Sequence, residues 1–252
     1  MTTPIIELMH RHGSVRHYTD EPVSDELIKT IVAAAQRAST SSNLQMYSVV
    51  VTREAEARRQ LYHLCGEQKH ILQAPVFLTW CADFSRLERV CRMQGYTLEA
   101  GYMENLLLAT VDVALAMQNA ALAAESLGLG MCYIGAIRNN PREVIRLLGL
   151  PRLTFPICGM TLGWPARSPR QRPRLPLEAV LHWERYNPDD EAALRAYDQT
   201  MAATGIYKGR QVGGTSAPEQ TYGWLEHSAR RVSKPLRTHL RQALQEAGFE
   251  AR

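Results

Sequence analysis

The chain has 252 residues, of which 45% are hydrophobic and 21% charged, which is typical of a soluble globular protein with a substantial core. The net charge of +4 is mildly basic, so nucleic acid is one partner that composition allows, although a few arginines in one pocket give the same total. The long apolar stretch 103–127 is interrupted by charged and amide residues, so no membrane span is expected. Five scattered cysteines without a C-x-x-C pair, and the lack of a signal-peptide pattern, predict a cytoplasmic protein with reduced thiols.

Helical and strand patterns follow one another through the first third of the chain. The predicted elements are helices over 4–11, 25–37 and 54–65 and strands over 47–52 and 76–82. Pro4 is a typical first-turn residue and Ser24 a typical N-cap, and both support the helix assignments. The strand at 76–82 is almost entirely apolar, which indicates burial on both faces.

The longest predicted helix runs for about 25 residues from Glu104 and is closed by Gly128. Because it is apolar on nearly every face, it belongs in a large core or against another subunit, and at this chain length we expect both. Further along the chain, the patterns predict strands over 131–137 and 154–165 and helices over 141–150, 189–203 and 224–247. Helices and strands mix without a strict β-α-β rhythm, which predicts an α+β fold with a sheet between helices.

The loop 165–174 carries four arginines and no acid. Pro173 favours an extended conformation at Arg172, and side chains two residues apart on an extended chain point the same way. Arg172 and Arg174 could therefore form a fork for a phosphate group. A solvated basic loop fits the same spacing about equally well.

Three other segments carry groups that could contact a ligand. The hydroxyl-rich stretch 39–43 could bind phosphate oxygens or ribityl hydroxyls, and Gln68 could read the donor and acceptor edge of a flat heterocycle. Gly135 and Ala136 end a predicted strand, where backbone N–H groups can approach a ligand closely. Each feature alone is more often an ordinary turn, surface loop or strand end.

Several other site classes are not expected. The chain contains no H-E-x-x-H, G-x-S-x-G, G-x-G-x-x-G or P-loop motif. His10 and His12 have no obvious third ligand nearby, so we expect no metal site. The basic C-terminal helix lacks interleaved aromatic residues, which favours a solvated helix face over contact with nucleic acid.

Five stretches, taken together and in order, resemble one protein family. They are "IELMHRHGSVRHYTDEPVS", "RASTSSNLQ", "GEQKHILQAPVF", "ALAMQNAALAAESLGLGMCYIGAIRNNP" and "GMTLGWPARSPRQRPRLP". The chain resembles the oxygen-insensitive, FMN-dependent nitroreductases, and most closely their NADPH nitroreductase A and flavin reductase P subgroup, over essentially residues 4–200.

This resemblance implies a nitroreductase-like α+β fold, in which helices flank a central, mostly antiparallel sheet. It implies an interlocked homodimer with a long interface helix and with flavin bound between the subunits. Residues 1–188 would form the core. Residues 189–252 would add an excursion helix, a mobile loop and a C-terminal helical arm of the same domain, which embraces the partner.

The resemblance also assigns flavin-binding residues position by position. They are His12, Gly13, Ser14, Arg16, Thr40, Ser41, Gln68, Tyr133, Ile134, Gly135, Ala136, Arg172 and Arg174. Gln68 would read the isoalloxazine edge, the backbone of residues 133–136 would face the ring near N5, and Arg172 and Arg174 would bind phosphate. No catalytic side chain is needed, because FMN carries the electron chemistry.

The function implied is that of an FMN-dependent NAD(P)H oxidoreductase with a ping-pong mechanism. NADPH or NADH would pass a hydride to flavin N5, and a nitroaromatic, quinone or free flavin would then be reduced by two electrons. Three alternatives stay open: a flavoenzyme of the same fold with other chemistry, such as reductive dehalogenation or flavin breakdown, a flavin-binding or regulatory protein without turnover, and a basic nucleic-acid binder.

The chain departs from the family pattern in two places. The family usually has arginine directly before the serine of its first motif, whereas this chain has Gly13, with Arg11 two residues earlier. A phosphate contact is therefore lost, moved to Arg11 or replaced by the Gly13 N–H. The loop 204–223, which is arginine-rich and binds the NADPH phosphate in the family, offers Lys208 and Arg210, so NADH is an alternative to NADPH.

Overall fold

The computed structural model describes residues 1–209, 211–212, 222–250 and 252. The chain divides into two compact units: a larger one of Met1–Gln171 with Arg237–Arg252, and a smaller one of Arg172–Leu236. The predicted division at residue 188 concerns contacts with a partner subunit and stays a prediction.

The described elements are ten α-helices and four strands, together with short 3₁₀ turns. The helices are α1 (Pro4–Arg11), α2 (Asp25–Ala35), α3 (Ala55–Leu64), α4 (His70–Gln73), α5 (Ser85–Met93), α6 (Met103–Ser126), α7 (Pro141–Leu148), α8 (Glu191–Ala203), α9 (Trp224–Val232) and α10 (Leu240–Glu246). The strands are β1 (Tyr47–Thr52), β2 (Val76–Asp83), β3 (Gly130–Ile134) and β4 (Thr154–Gly163). Helices α8 and α9 belong to the smaller unit, and the sheet belongs to the larger one.

The four strands form one sheet in the order β1-β2-β4-β3, and every neighbouring pair is antiparallel. All eight residues of β2 are buried, as its apolar sequence predicts. Alternate side chains of β2 point to opposite faces of the sheet. Leu78 and Trp80 pack in a cluster with residues of α2 and α6, while Phe77 packs in another with residues of α3 and α7. The predicted α+β fold with an antiparallel sheet flanked by helices is confirmed.

Helix α6 combines a buried face of small residues with an exposed apolar ridge. Its buried alanines allow close approach to the sheet and to α2, and its end is followed by Gly128 at a φ of +83°, as predicted. Within the described part of the chain, α6 is the one helix long and apolar enough to cross a membrane, a property that core helices share. The exposed ridge consists of Met103, Leu107, Val111 and Leu115.

Three predictions of secondary structure were wrong. The strand expected over 131–137 ends at Ile134, because Gly135–Asn139 turn into a 3₁₀ helix. The helix expected over 224–247 is two helices, α9 and α10, since Pro235 has no N–H with which to continue the first. The segment after Gln68, for which a surface loop was the ordinary interpretation, contains the one-turn helix α4, and α5 is absent from the predicted elements.

Candidate functional site

The first basic segment, residues 12–18, is held against the edge of the sheet. The Val15 N–H donates to the carbonyl of Met131 in β3 at 2.8 Å, and the Thr19 N–H donates to the carbonyl of Trp164 at 2.9 Å. A Cβ on Gly130 would lie 2.4 Å from Val15 Cγ2, so this approach requires glycine in β3. The path of the segment is therefore set by backbone contacts with β3 and with the end of β4.

His12 is oriented by an acid near the end of α6. His12 donates its Nδ1–H to Glu125 Oε1 at 2.6 Å, and the Glu125 side chain is 12% exposed. Among the described residues, Glu125 Oε2 is buried without a hydrogen-bond partner. Because a carboxylate bonded in this way places the proton on Nδ1, Nε2 is the nitrogen of His12 available to a ligand.

Gly13 lies directly under the basic loop. A Cβ at this position would be 2.8 Å from Pro169 Cβ and 3.4 Å from the carbonyl oxygen of Arg170. Gln171 donates its Nε2–H to the His10 carbonyl at 3.0 Å, which ties the two segments together. The arginine usual in the family therefore does not fit here with the loop in this position. Exposed Arg11 lines a cavity of about 240 Å³ with Gly13.

Gln68 and His70 lie on a segment packed near the end of β3, since the flanking residues Cys65 and Ile71 join one cluster with Ile134, and His70 is close to Arg16. Gln68 donates from Nε2 to the Cys65 carbonyl at 3.0 Å, so its side-chain oxygen is available as an acceptor. Burial, with the nearby charges of Arg16 and His17, lowers the pKa of His70 to about 4. His70 is thus neutral at pH 7, and its buried Nε2 has no hydrogen-bond partner among the described residues.

The end of β3 and the turn that follows it contain the predicted backbone contacts to flavin, residues 133–136. The Tyr133 hydroxyl donates to the Met117 carbonyl at 2.9 Å, which directs this side chain towards α6, and burial raises the pKa of Tyr133. Ile134 is buried, while Gly135 and Ala136 begin the 3₁₀ turn in half-buried positions. The strand thus ends in a turn whose first two residues, Gly135 and Ala136, have little or no side chain to separate their backbone from a ligand.

Thr40 and Ser41 are tied to a different part of α6. Buried Asp112 accepts the Ser41 N–H at 3.0 Å. Positions 112 and 125 lie 13 residues apart, or about 20 Å along a helix that rises 1.5 Å per residue. The larger unit thus gathers the first basic segment, Gln68 and the end of β3 at one sheet edge, and attaches Thr40 and Ser41 elsewhere on α6.

The smaller unit contains the remaining predicted residues. Arg172 and Arg174 are exposed, and Arg174 donates from Nη1 to the Arg172 carbonyl at 3.0 Å. Exposed Lys208 follows Tyr207, whose ring stacks on His227 with centroids 4.2 Å apart. Arg210 lies outside the described residues, as do Gly213 and Gly214 in the same loop. The predicted phosphate fork and NADPH contact stay predictions.

Asp112, Glu125 and His70 are absent from the predicted site. The sequence did contain a signal for two of them, because Asp112 and Glu125 are acids inside a helix that is apolar on nearly every face. A buried carboxylate requires hydrogen-bond donors, so each acid indicated a polar contact with another segment. Their partners are distant in sequence, so the pairs themselves could not be inferred. No group of three or more His, Cys, Asp or Glu residues suited to a metal ion is found among the residues that were described.

Comparison with known proteins places this fold and these segments in one family. A sequence model of the nitroreductase family matches residues 9–164, and a model of the family's C-terminal domain matches residues 172–252. The chain belongs to the nitroreductase family. The family prediction is confirmed, and the second match begins at the residue where the smaller unit of this nitroreductase begins.

The similarity extends over whole chains. An oxygen-insensitive NADPH nitroreductase of Salmonella typhimurium is 42% identical over 250 residues, which cover 99% of this chain and 100% of that protein. A Bacillus subtilis protein named as an NAD(P)H FMN reductase is 38% identical over 250 residues, or 98% of each chain. The solved NADPH:FMN oxidoreductase of Vibrio harveyi, complexed with NAD+, matches this nitroreductase with a TM-score of 0.88 at 33% identity, covering 99% of this chain and 100% of that one.

Proposed function

We propose that this nitroreductase is an FMN-dependent NAD(P)H oxidoreductase that reduces small oxidants such as nitroaromatics, quinones and free flavins. The observation that carries the proposal is the convergence of His12, Arg16, Gln68 and the end of β3 at one sheet edge, in a chain that matches reductases over its whole length. The named relatives act with NADPH or NAD(P)H, which supports the same reductant here.

The groups at this edge suit a flavin. Arg16 is half-buried and neutral His70 lies close to it, so the Arg16 guanidinium is a cation that can stabilise the negative charge of a reduced flavin. The free side-chain oxygen of Gln68 can accept a flavin ring N–H. The buried Nε2 of His70, which has no hydrogen-bond partner in the described part of the chain, is a polar group of the kind that a bound ligand satisfies.

Each proposed residue has a limited task. FMN, when bound, accepts hydride from NAD(P)H and returns two electrons to the oxidant. Gly135 and Ala136 present backbone to the ring, and the Nε2 of His12 is directed by Glu125. We assign phosphate binding to Arg172 and Arg174, and the 2′-phosphate of NADPH to Lys208. No side chain of this chain is assigned an acid or base step.

We also propose a cytoplasmic homodimer. The ridge on α6 leaves Leu107 and Val111 each 55% exposed, and a second copy of the chain would cover this apolar surface. The distance of about 20 Å along α6 between the attachments of Ser41 and His12 supports a site that takes residues from two copies. This arrangement is the one expected from the resemblance.

The function is tested by purifying the protein and following its oxidant reduction at steady state. We expect a yellow protein with flavin absorbance, and NAD(P)H-dependent turnover of menadione and nitrofurazone. A yellow protein that does not oxidise NAD(P)H when either menadione or nitrofurazone is present would favour another chemistry on the same fold. Colourless protein that does not take up added FMN would refute the flavin site.

A further inference from the structure

Among the described residues, the hydrogen bonds to the buried carboxylate of Asp112 on α6 come from two backbone N–H groups of the segment 41–46. Asp112 is fully buried. Its Oδ1 accepts the Ser41 N–H at 3.0 Å, and its Oδ2 accepts the Met46 N–H at 3.1 Å. Burying a charge is strongly unfavourable unless its oxygens accept hydrogen bonds, so these two contacts define where the segment 41–46 must lie.

The backbone between the two contacts is strained. Ser42, Asn43 and Gln45 have φ angles of 48°, 57° and 52°, in the left-handed region. Asparagine tolerates this conformation, but serine and glutamine adopt it rarely. Residues 42–45 are all exposed, so core packing does not hold them in place. Strained backbone persists only where its surroundings restrain it: Asp112 holds both ends of the segment, and Arg86 donates from Nη1 to the Gln45 carbonyl at 3.0 Å.

We propose that Asp112 is a positioning residue of the flavin site. Its carboxylate holds residues 41–46 in the strained conformation that presents the hydroxyls of Thr40 and Ser41 to the flavin. The inference rests on the proposed function, because only a bound flavin gives the position of these hydroxyls a consequence. Small displacements of binding groups are costly, so relaxation of the segment weakens FMN binding more than it weakens the fold.

Replacement of Asp112 by asparagine tests the role at nearly constant shape. Asparagine has one acceptor oxygen, and its NH₂ group would face a backbone N–H, so only one of the two contacts can form. The matched control is Val113→Ala, which removes packing at the next buried residue of α6 and leaves both N–H contacts intact. Neither substitution removes a residue assigned to flavin contact.

The measurement is the FMN dissociation constant of each apoprotein, obtained by fluorescence titration well below the apoprotein Tm. We expect both variants to lower the apoprotein Tm. Asp112→Asn should raise the dissociation constant by about 10-fold, and Val113→Ala by no more than about 2-fold. Equal constants for the two variants would overturn the positioning role, since loss of stability alone would then explain both.

A second pair of variants removes the donor instead of the acceptor. Ser41→Ala loses the hydroxyl and keeps the N–H, whereas Ser41→Pro loses both. Thr40 is already extended, with φ −131° and ψ 151°, as a residue before proline prefers. The proline variant should bind FMN about 10-fold more weakly than the alanine variant, and equal binding would count against the proposal. If the wild type bound no FMN, the proposed function would fail and this inference with it, whereas tight binding by both wild type and Asp112→Asn would refute the inference alone.

Discussion

Replacing Gly13 with alanine adds one methyl group where the first basic segment meets the loop 165–171. That methyl carbon would lie 2.8 Å from Pro169 Cβ and 3.3 Å from its Cγ. Carbon atoms in favourable contact stand about 3.5–4.0 Å apart, so Pro169 has to retreat by about 1 Å. Overpacking of this kind costs about 1–3 kcal/mol of folding free energy.

The cost can be read from the Tm of the apoprotein. For a chain of this size we expect Gly13→Ala to lower the Tm by about 2–10 °C. Pro169→Gly removes the opposing Cβ and serves as the matched control, so Gly13→Ala should cost much less in that background. Such non-additivity is the property of residues in direct contact.

The contact with Pro169 also bears on the arginine that the family usually has at this position. Gly13→Arg carries the same Cβ and should bind FMN no more tightly than the wild type. Its Cβ displaces the loop 165–171, and this displacement offsets any phosphate contact that the guanidinium gains. A Tm within about 1 °C of wild type for Gly13→Ala, together with tighter FMN binding by Gly13→Arg, would refute the packing explanation.

Three further predictions concern the phosphate groups and pH. The double variant Arg172→Ala, Arg174→Ala should lose its flavin on gel filtration, and full retention would refute their phosphate role. Lys208→Ala should raise the KM for NADPH more than the KM for NADH, whereas equal increases would exclude a 2′-phosphate contact. The pKa of His70 falls from an ordinary value near 6.5 to about 4 on folding. As the pH is lowered, His70 is therefore protonated in the unfolded protein before it is protonated in the folded protein. The stability of the wild type should therefore decline as the pH falls from about 6.5 to about 4, and His70→Phe should show a shallower decline in thermal unfolding; parallel pH profiles would contradict this.

Local features of the fold were predictable because their causes are local. Ser24 accepts the Leu27 N–H at 3.2 Å as an N-cap, and Gly128 ends the long helix through its positive φ. The apolar run of β2 was enough to predict burial on both faces. By contrast, the break at Pro235 was missed although its cause is also local, because a proline inside a helical pattern ends the helix at or before the preceding residue.

The contacts that organise the candidate site could not be predicted, because they join distant parts of the chain. Asp112 and Ser41 are 71 residues apart in sequence, and His12 and Glu125 are 113 apart. The absence of an arginine at Gly13 was visible in the sequence. Its physical reason, the proximity of Pro169, requires the folded loop.

The proposed NAD(P)H oxidoreductase activity is tested most directly by stopped-flow reduction of the purified, flavin-loaded protein with NADPH and NADH in parallel, without oxygen. We expect the absorbance of the bound flavin to bleach with NADPH, NADH or both and to return when menadione is added. Bound flavin that neither NADPH nor NADH bleaches would contradict the assignment of this nitroreductase as an NAD(P)H oxidoreductase.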